Sequence, residues 1–107
     1  MGVFHLVMAR ARQEREVQVA QVLSSLATFA DSLPAVRASS GPDISKEGFQ
    51  HGYTHALVIE FSDEAGRDTY LRHPGHEELA GELVAVTEQC LVLAIESGQG
   101  LVPGGIG

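Results

Sequence analysis

The run Tyr70-Leu71-Arg72-His73-Pro74-Gly75-His76 puts a phenol and two imidazoles within one short stretch, and it follows an apolar segment that begins Gly52-Tyr53-Thr54-His55. Another histidine, His5, lies in an apolar segment near the N-terminus. Imidazole exchanges protons near neutral pH, and a phenol donates a hydrogen bond to oxygen. Together these side chains suit a proton-transfer pocket. His76 falls in the first turn of a helix starting at about Pro74, where the helix dipole disfavours imidazolium and keeps the ring neutral as a base. His73 precedes proline, so its backbone is extended, and a helix terminator or solvent-facing cap is its favoured role. Tyr70 either packs its ring in the core or offers its phenol to a substrate oxygen or to His76.

Other chemistries find less support. His5, His55, His73 and His76 could converge on a divalent ion, but no compact ligand-spacing motif with a paired carboxylate accompanies them, so neither metal nor cofactor is expected. Cys90 is the only cysteine and sits in an apolar run, where a thiol usually packs without reacting. The glycines from Gly98 onward match no phosphate-binding fingerprint, because no helix follows to supply an N-terminus.

The 107 residues fit one domain, and a chain of this length buries about two thirds of its unfolded surface, so a partner subunit would help it. With 14 acidic and 7 basic residues the formal charge is −7, and no Lys/Arg cluster exists to neutralise phosphates. Nucleic acid and anionic membranes are therefore not expected partners, whereas a neutral or weakly polar small molecule is. A single cysteine excludes an intramolecular disulfide and suits a reducing cytoplasm. With no signal-like N-terminus and no apolar stretch near the roughly 20 residues that span a bilayer, a soluble, unprocessed chain is expected.

These residues need elements to position them. Residues 3 to 9 are apolar and rich in β-branched side chains, a strand with His5 within it. From 13 to 32 apolar residues recur at three and four, through Val17, Ala20 and Leu23 or through Val19, Val22 and Leu26, then Ala27, Ala30 and Leu33. That spacing predicts an amphipathic helix, stopped near Pro34. A short strand over 35 to 40 is weakly signalled, and 39 to 52 reads as a long polar loop of the kind that often forms a lid. Residues 53 to 61 give the clearest strand. Ser62 and Asp63 offer an N-cap to a short helix over 64 to 71, and a further helix runs from Pro74 through Leu79, Leu83 and Val86. The last strand covers 89 to 96, and residues 98 to 107 read as a mobile Gly-rich tail unless a neighbouring subunit orders them. The order is βαββαβ with a divided second helix, a ferredoxin-like α+β antiparallel sheet over residues 1 to 97. Leu57-Val58-Ile59 and Leu91-Val92-Leu93 are apolar on both faces, so something must cover the face without helices. A twofold partner presenting the same sheet is the simplest cover, which makes a homodimer the expectation.

The opening His5-Leu6-Val7, the turn Leu33-Pro34-Ala35-Val36, the stretch from Glu47-Gly48 to Gly52-Tyr53-Thr54-His55, and Tyr70 through His76 together resemble the stress-responsive dimeric α/β-barrel family, Dabb, over about residues 3 to 97. The resemblance implies a dimeric α/β barrel and, for its polyketide-cyclising members, an aldol ring closure without metal or cofactor. It places the catalytic histidine at His76, the catalytic tyrosine at Tyr70, and pocket histidines at His5 and His55. An acidic residue of those members falls at Ala94 here, a departure, with Glu96 on the same strand face about 7 Å further along. Period-2 alternation groups His5 with Val3, Val7 and Ala9, and His55 with Tyr53, Leu57 and Ile59. The family resemblance turns both faces toward the helices, where Val7, Leu57, Ile59, Leu79, Val92 and His73 would join the histidines as substrate-binding residues. Alternatively His5 and His55 are core imidazoles bonded to backbone carbonyls. The expected function is cofactor-independent acid/base catalysis on a small, carbonyl-rich, apolar substrate. A non-catalytic stress-associated or ligand-binding barrel and a cofactor-free oxygenase or isomerase are the alternatives.

Overall fold

Residues Gly2–Ala11 alternate half-buried and buried along their whole length in the computed structural model, which describes residues 2–33 and 35–97. Pro34, expected to stop the first helix, and the tail over 98–107, expected to be mobile, lie outside the described residues. That first strand, β1, is followed by α1 (Glu16–Asp31), β2 (Ala35–Pro42), β3 (His55–Phe61), α2 (Glu64–Arg72), α3 (Pro74–Val86) and β4 (Thr87–Ser97). The strands form one antiparallel sheet in the order β2-β3-β1-β4, the ferredoxin-like arrangement with its second helix divided.

The winning stripe of α1 draws on both candidates: Val19 and Leu26 of one and Leu23 of the other are buried with Ala30, while Val17 and Ala20 are exposed. It carries two leucines at a four-three-four spacing and meets the sheet residues Val7, Leu57, Ile59 and Phe61. Fully burying each such aliphatic or aromatic side chain is worth roughly 1.5–3 kcal/mol, so this layer dominates the stability of the fold.

Element boundaries differ from expectation for local reasons. β3 begins at His55 and not at Tyr53, because Thr54 closes the neck of the preceding loop: its N–H donates to the Ala9 carbonyl (2.8 Å) and its carbonyl accepts from Asp43 N–H (2.7 Å). β2 is longer than its weak signal, since pairing with β3 carries it to Pro42 despite an irregularity between Ala35 and Arg37. Asp63, not Ser62, caps α2, accepting the Gly66 N–H at 2.8 Å.

Register assigns the two faces. Val3, His5, Val7 and Ala9 point to the helices, with Leu57, Ile59 and Phe61 beside them. Phe4, Leu6 and Met8 point the other way and pair with Glu60, Val58 and Ala56 on one side and with Ile95, Leu93 and Leu91 on the other. No described element covers that second face. The chain is two layers thick, 39 × 37 × 17 Å, with Val58, Leu91, Leu93 and Ile95 exposed.

Candidate active site

Tyr70 is the hub. It is 1 % exposed, and four aromatic rings surround it, with centroids at 4.7 Å (His76), 5.4 Å (Phe61), 5.8 Å (His5) and 5.9 Å (Phe29). His5 and His76 both present T-shaped contacts to it. Such pairs add about 0.5–1.5 kcal/mol each beyond their buried area. Burial pushes the Tyr70 phenol up to about 12, so it stays protonated across the physiological range. Core packing, one of the two alternatives read from the sequence, is what the structure shows for this residue.

The corner between α2 and α3 sets the angle between Tyr70 and His76. His73 ends one helix and starts the next: its extended backbone (φ −70°, ψ 135°) breaks the first, and its Nδ1 accepts the Gly75 N–H at 2.9 Å to cap the second. Pro74 occupies the first turn, where its missing N–H is no loss. His73 is exposed, with its ring edge-on to Phe29 at 4.8 Å, so the capping role expected of it is the one observed. Gly75 must be small here, because a Cβ would stand 2.9 Å from Phe29 Cε1 and 3.2 Å from His73 Nδ1.

His76 is half-buried, and its Nδ1 is buried without a hydrogen-bond partner among the described residues. Burial holds its pKa below the ordinary imidazole value, against smaller contributions from the Leu71 backbone and the Glu77 carboxylate, which favour the charged ring. The neutral ring expected from the helix dipole is thus favoured, with burial as the largest cause. His5, 4 % exposed, is lowered too, first by burial and then by the nearby charges of His76 and Arg67.

The other expected site residues spread more widely. His55 lies opposite Ala9 whereas His5 lies opposite Ile59, a separation of about 13 Å along the strands at 3.3 Å per residue. Its Nδ1 is bonded to Thr54 Oγ1 at 2.8 Å, and that hydroxyl also meets Ala9 O and Ala11 N. His55 thus shares the helix-facing side with His5 but not the Tyr70 cluster. Val7, Leu57 and Ile59 are core residues, Leu79 is half-buried, and Val92 is exposed on the helix side of β4 beside Val7. Ala94 stands directly opposite His5 in the sheet, so a carboxylate there would have faced it. Glu96 instead pairs with Val3 and lines a cleft with Asp63 and Glu64, and the carboxylate felt by His76 is Glu77. Phe29 and Arg67 escaped notice in the sequence. Phe29 lies just off the winning stripe of α1, and Arg67 falls one turn before Tyr70 on α2, a spacing that points both to one side. Among the described residues no group of three or more His, Cys, Asp or Glu side chains is arranged to hold a metal ion. Cys90 is half-buried, its thiol 3.4 Å from Thr87 Oγ1, and no helix among them is long and apolar enough to cross a membrane.

A ferredoxin-like sheet with a tyrosine and histidines gathered beneath its helices is the class that fold and site define. The chain belongs to the stress responsive A/B barrel domain family, Dabb, which it matches over residues 3–96. It is similar to olivetolic acid cyclase of Cannabis sativa, 26 % identical over 78 residues, or 71 % of this chain and 77 % of that one. Among solved structures it resembles a dimeric ferredoxin-like protein of unknown function from Jannaschia sp. CCS1 (26 % identity, 90 % of this chain and 99 % of that one, TM-score 0.80). It shares its fold with the hydroxynitrile lyase of Passiflora edulis (22 % identity, 94 % and 97 % coverage, TM-score 0.80).

Proposed function

We propose that this protein is a cofactor-independent acid/base enzyme, working as a homodimer on a small, carbonyl-rich, largely apolar substrate, and that its reaction is an aldol ring closure of a polyketide-type chain. The observation that carries the reading is one juxtaposition. A phenol held protonated and an imidazole held neutral stand with ring centroids 4.7 Å apart on two helices joined at one residue. The likeness to olivetolic acid cyclase supports the substrate class.

The chemistry follows from those protonation states. Neutral His76 takes the acidic proton from a carbon between two carbonyl groups, leaving an enolate. The enolate carbon attacks a distant carbonyl of the same chain, forming the carbon–carbon bond. The resulting alkoxide regains a proton from the imidazolium, which restores the base. Tyr70 donates a hydrogen bond to the oxygen on which charge develops, a contribution smaller than that of the base. His5, kept neutral, offers a further ring nitrogen from the sheet, and His55, with Val7, Leu57 and Ile59, shapes the same side.

The test is to supply linear poly-β-keto acids and follow ring formation by mass spectrometry, with wild type and His76→Ala in parallel. Ring product from wild type, strongly reduced in the variant, is expected. No product with wild type, or equal product from both, overturns the reading and favours a ligand-binding barrel.

A further inference from the structure

The two most exposed large apolar side chains among the described residues are Ile44 (86 %) and Phe49 (74 %), and both lie on the loop between β2 and β3. That loop is held in shape. Its neck is tied by Asp43 N–H to the Thr54 carbonyl, Ser45 N–H donates to Asp43 Oδ1 (3.0 Å), Arg10 Nη2 donates to the His51 carbonyl (2.9 Å), and the Arg10 guanidinium stacks 5.1 Å over the Tyr53 ring. The loop therefore does not fold inward to bury these residues by itself.

Phe49 lines a cavity of about 420 Å³ together with Met8, Ala56 and Leu91. Those last three are register partners on the uncovered face of the sheet, so the cavity opens on the side opposite the Tyr70 cluster. Loop and sheet meet at this cavity, where Phe49 adjoins the apolar sheet residues and Asp43, Ser45, Glu47, Gln50 and His51 form a polar rim. The four strands alone give a planar footprint of roughly 400–450 Å² at about 4.8 Å between strands and 3.3 Å per residue. A stable interface takes about 800 Å² from each partner, so the adjoining loop supplies apolar area that the sheet lacks. Charge does not oppose a second copy at the centre of this face. The chain carries −7, yet the middle, Leu6, Met8, Val58, Leu91 and Leu93, is free of charged side chains, Glu60 beside Phe4 is paired with Arg37, and Asp43 and Glu47 stand at the cavity rim.

We propose that the loop over residues 43–54 is a docking arm: Phe49 and Ile44 seat against the sheet of a second copy of this chain, which closes the cavity at the end of the open face. The inference rests on the homodimer reading and adds the element that anchors it.

The experiment measures the dimer dissociation constant by sedimentation for wild type, Phe49→Ser, and the Phe49→Ser/Ile44→Ser pair, with Val17→Ser on α1 as an exposed apolar control. Because the replaced side chains are already exposed, folding is expected to persist, and circular dichroism checks it. The double variant should weaken the dimer roughly ten- to a hundredfold, the range for losing central apolar anchors, while the control leaves it unchanged. A wild-type dimer that is equally tight in the double variant overturns the docking arm and leaves the homodimer standing. A wild-type monomer overturns the homodimer and the arm with it. A wild-type dimer that retains a small molecule, lost in Phe49→Ser without change in the dissociation constant, would assign the cavity to that ligand and overturn the proposal.

Discussion

His5 and Leu6 are neighbours in one strand, yet they belong to regions with opposite chemistry. On the side of His5 the sheet is closed by helices, and burial both completes the core and pulls two imidazoles toward neutrality while keeping a phenol protonated. On the side of Leu6 the same strands present aliphatic side chains to open space, with no titratable group in the middle. The difference teaches that strand alternation alone can give the two faces of one sheet opposite chemistry, titratable groups on one and an apolar surface on the other.

The sharpest way to break that division is to remove the proposed base. His76→Ala should lower turnover by about 10²–10⁴-fold with the dimer and the fold intact, read by steady-state kinetics beside sedimentation. If dissociation accompanies the loss, the faces are not independent. The converse change, Leu93→Glu, puts an unpaired charge on the open face, and burying it would cost several kcal/mol. A monomeric or unfolded product is expected, and a dimer of wild-type strength would mean that this face is not the interface. Gly75→Ala forces a methyl group against Phe29, an overpacking worth about 1–3 kcal/mol, and should lower both Tm and kcat because the corner between the helices opens. Unchanged kcat would show that the Tyr70–His76 spacing has slack. Tyr70→Phe keeps the packing and deletes one hydrogen bond, so its cost should be about 0.5–1.5 kcal/mol, seen in kcat and not in Tm.

The smallest effect is in pH. His5 and His76 have pKa values below the unfolded imidazole value of about 6.5, so between the folded and unfolded values the unfolded chain binds more protons. Their contribution is complete above that unfolded value and declines as pH falls through the window toward the folded ones. Thermal melts from pH 7 to pH 5 should show it, and kcat/KM should rise with pH through an apparent pKa below that of free imidazole. Replacing Leu6 or Leu93 by another aliphatic residue should leave both profiles in place.

How much of this was legible depends on what period and register can carry. Alternation in β1 and β3 and the His73-Pro74 break are local, and they yielded the fold, the strand faces and the helix corner. Two overlapping stripes in α1 could not be ranked, because the choice lies in how Leu23 and Leu26 meet Ile59 and Phe61, contacts distant in sequence. The separation of His55 from His5 was hidden for a like reason. Strand pairing register decides it, and a shift of one residue reverses every face. Thr54, which ends the strand early and binds His55, acts through Ala9 and Ala11 on another strand.

The helix corner at His73 carries one more implication, for how such sites are recognised and altered. Tyr70 and His76 sit on opposite arms of a bend fixed by one imidazole and one proline, so their mutual orientation is a matter of residue count. Adding or deleting a single residue between them would swing one ring by about 100° about its helix axis. Substitutions at Leu71 or Arg72 leave that count untouched. Chain length across this interval is therefore the stricter inheritance, and a descendant that kept both side chains but altered the gap would have the letters of the site without its geometry.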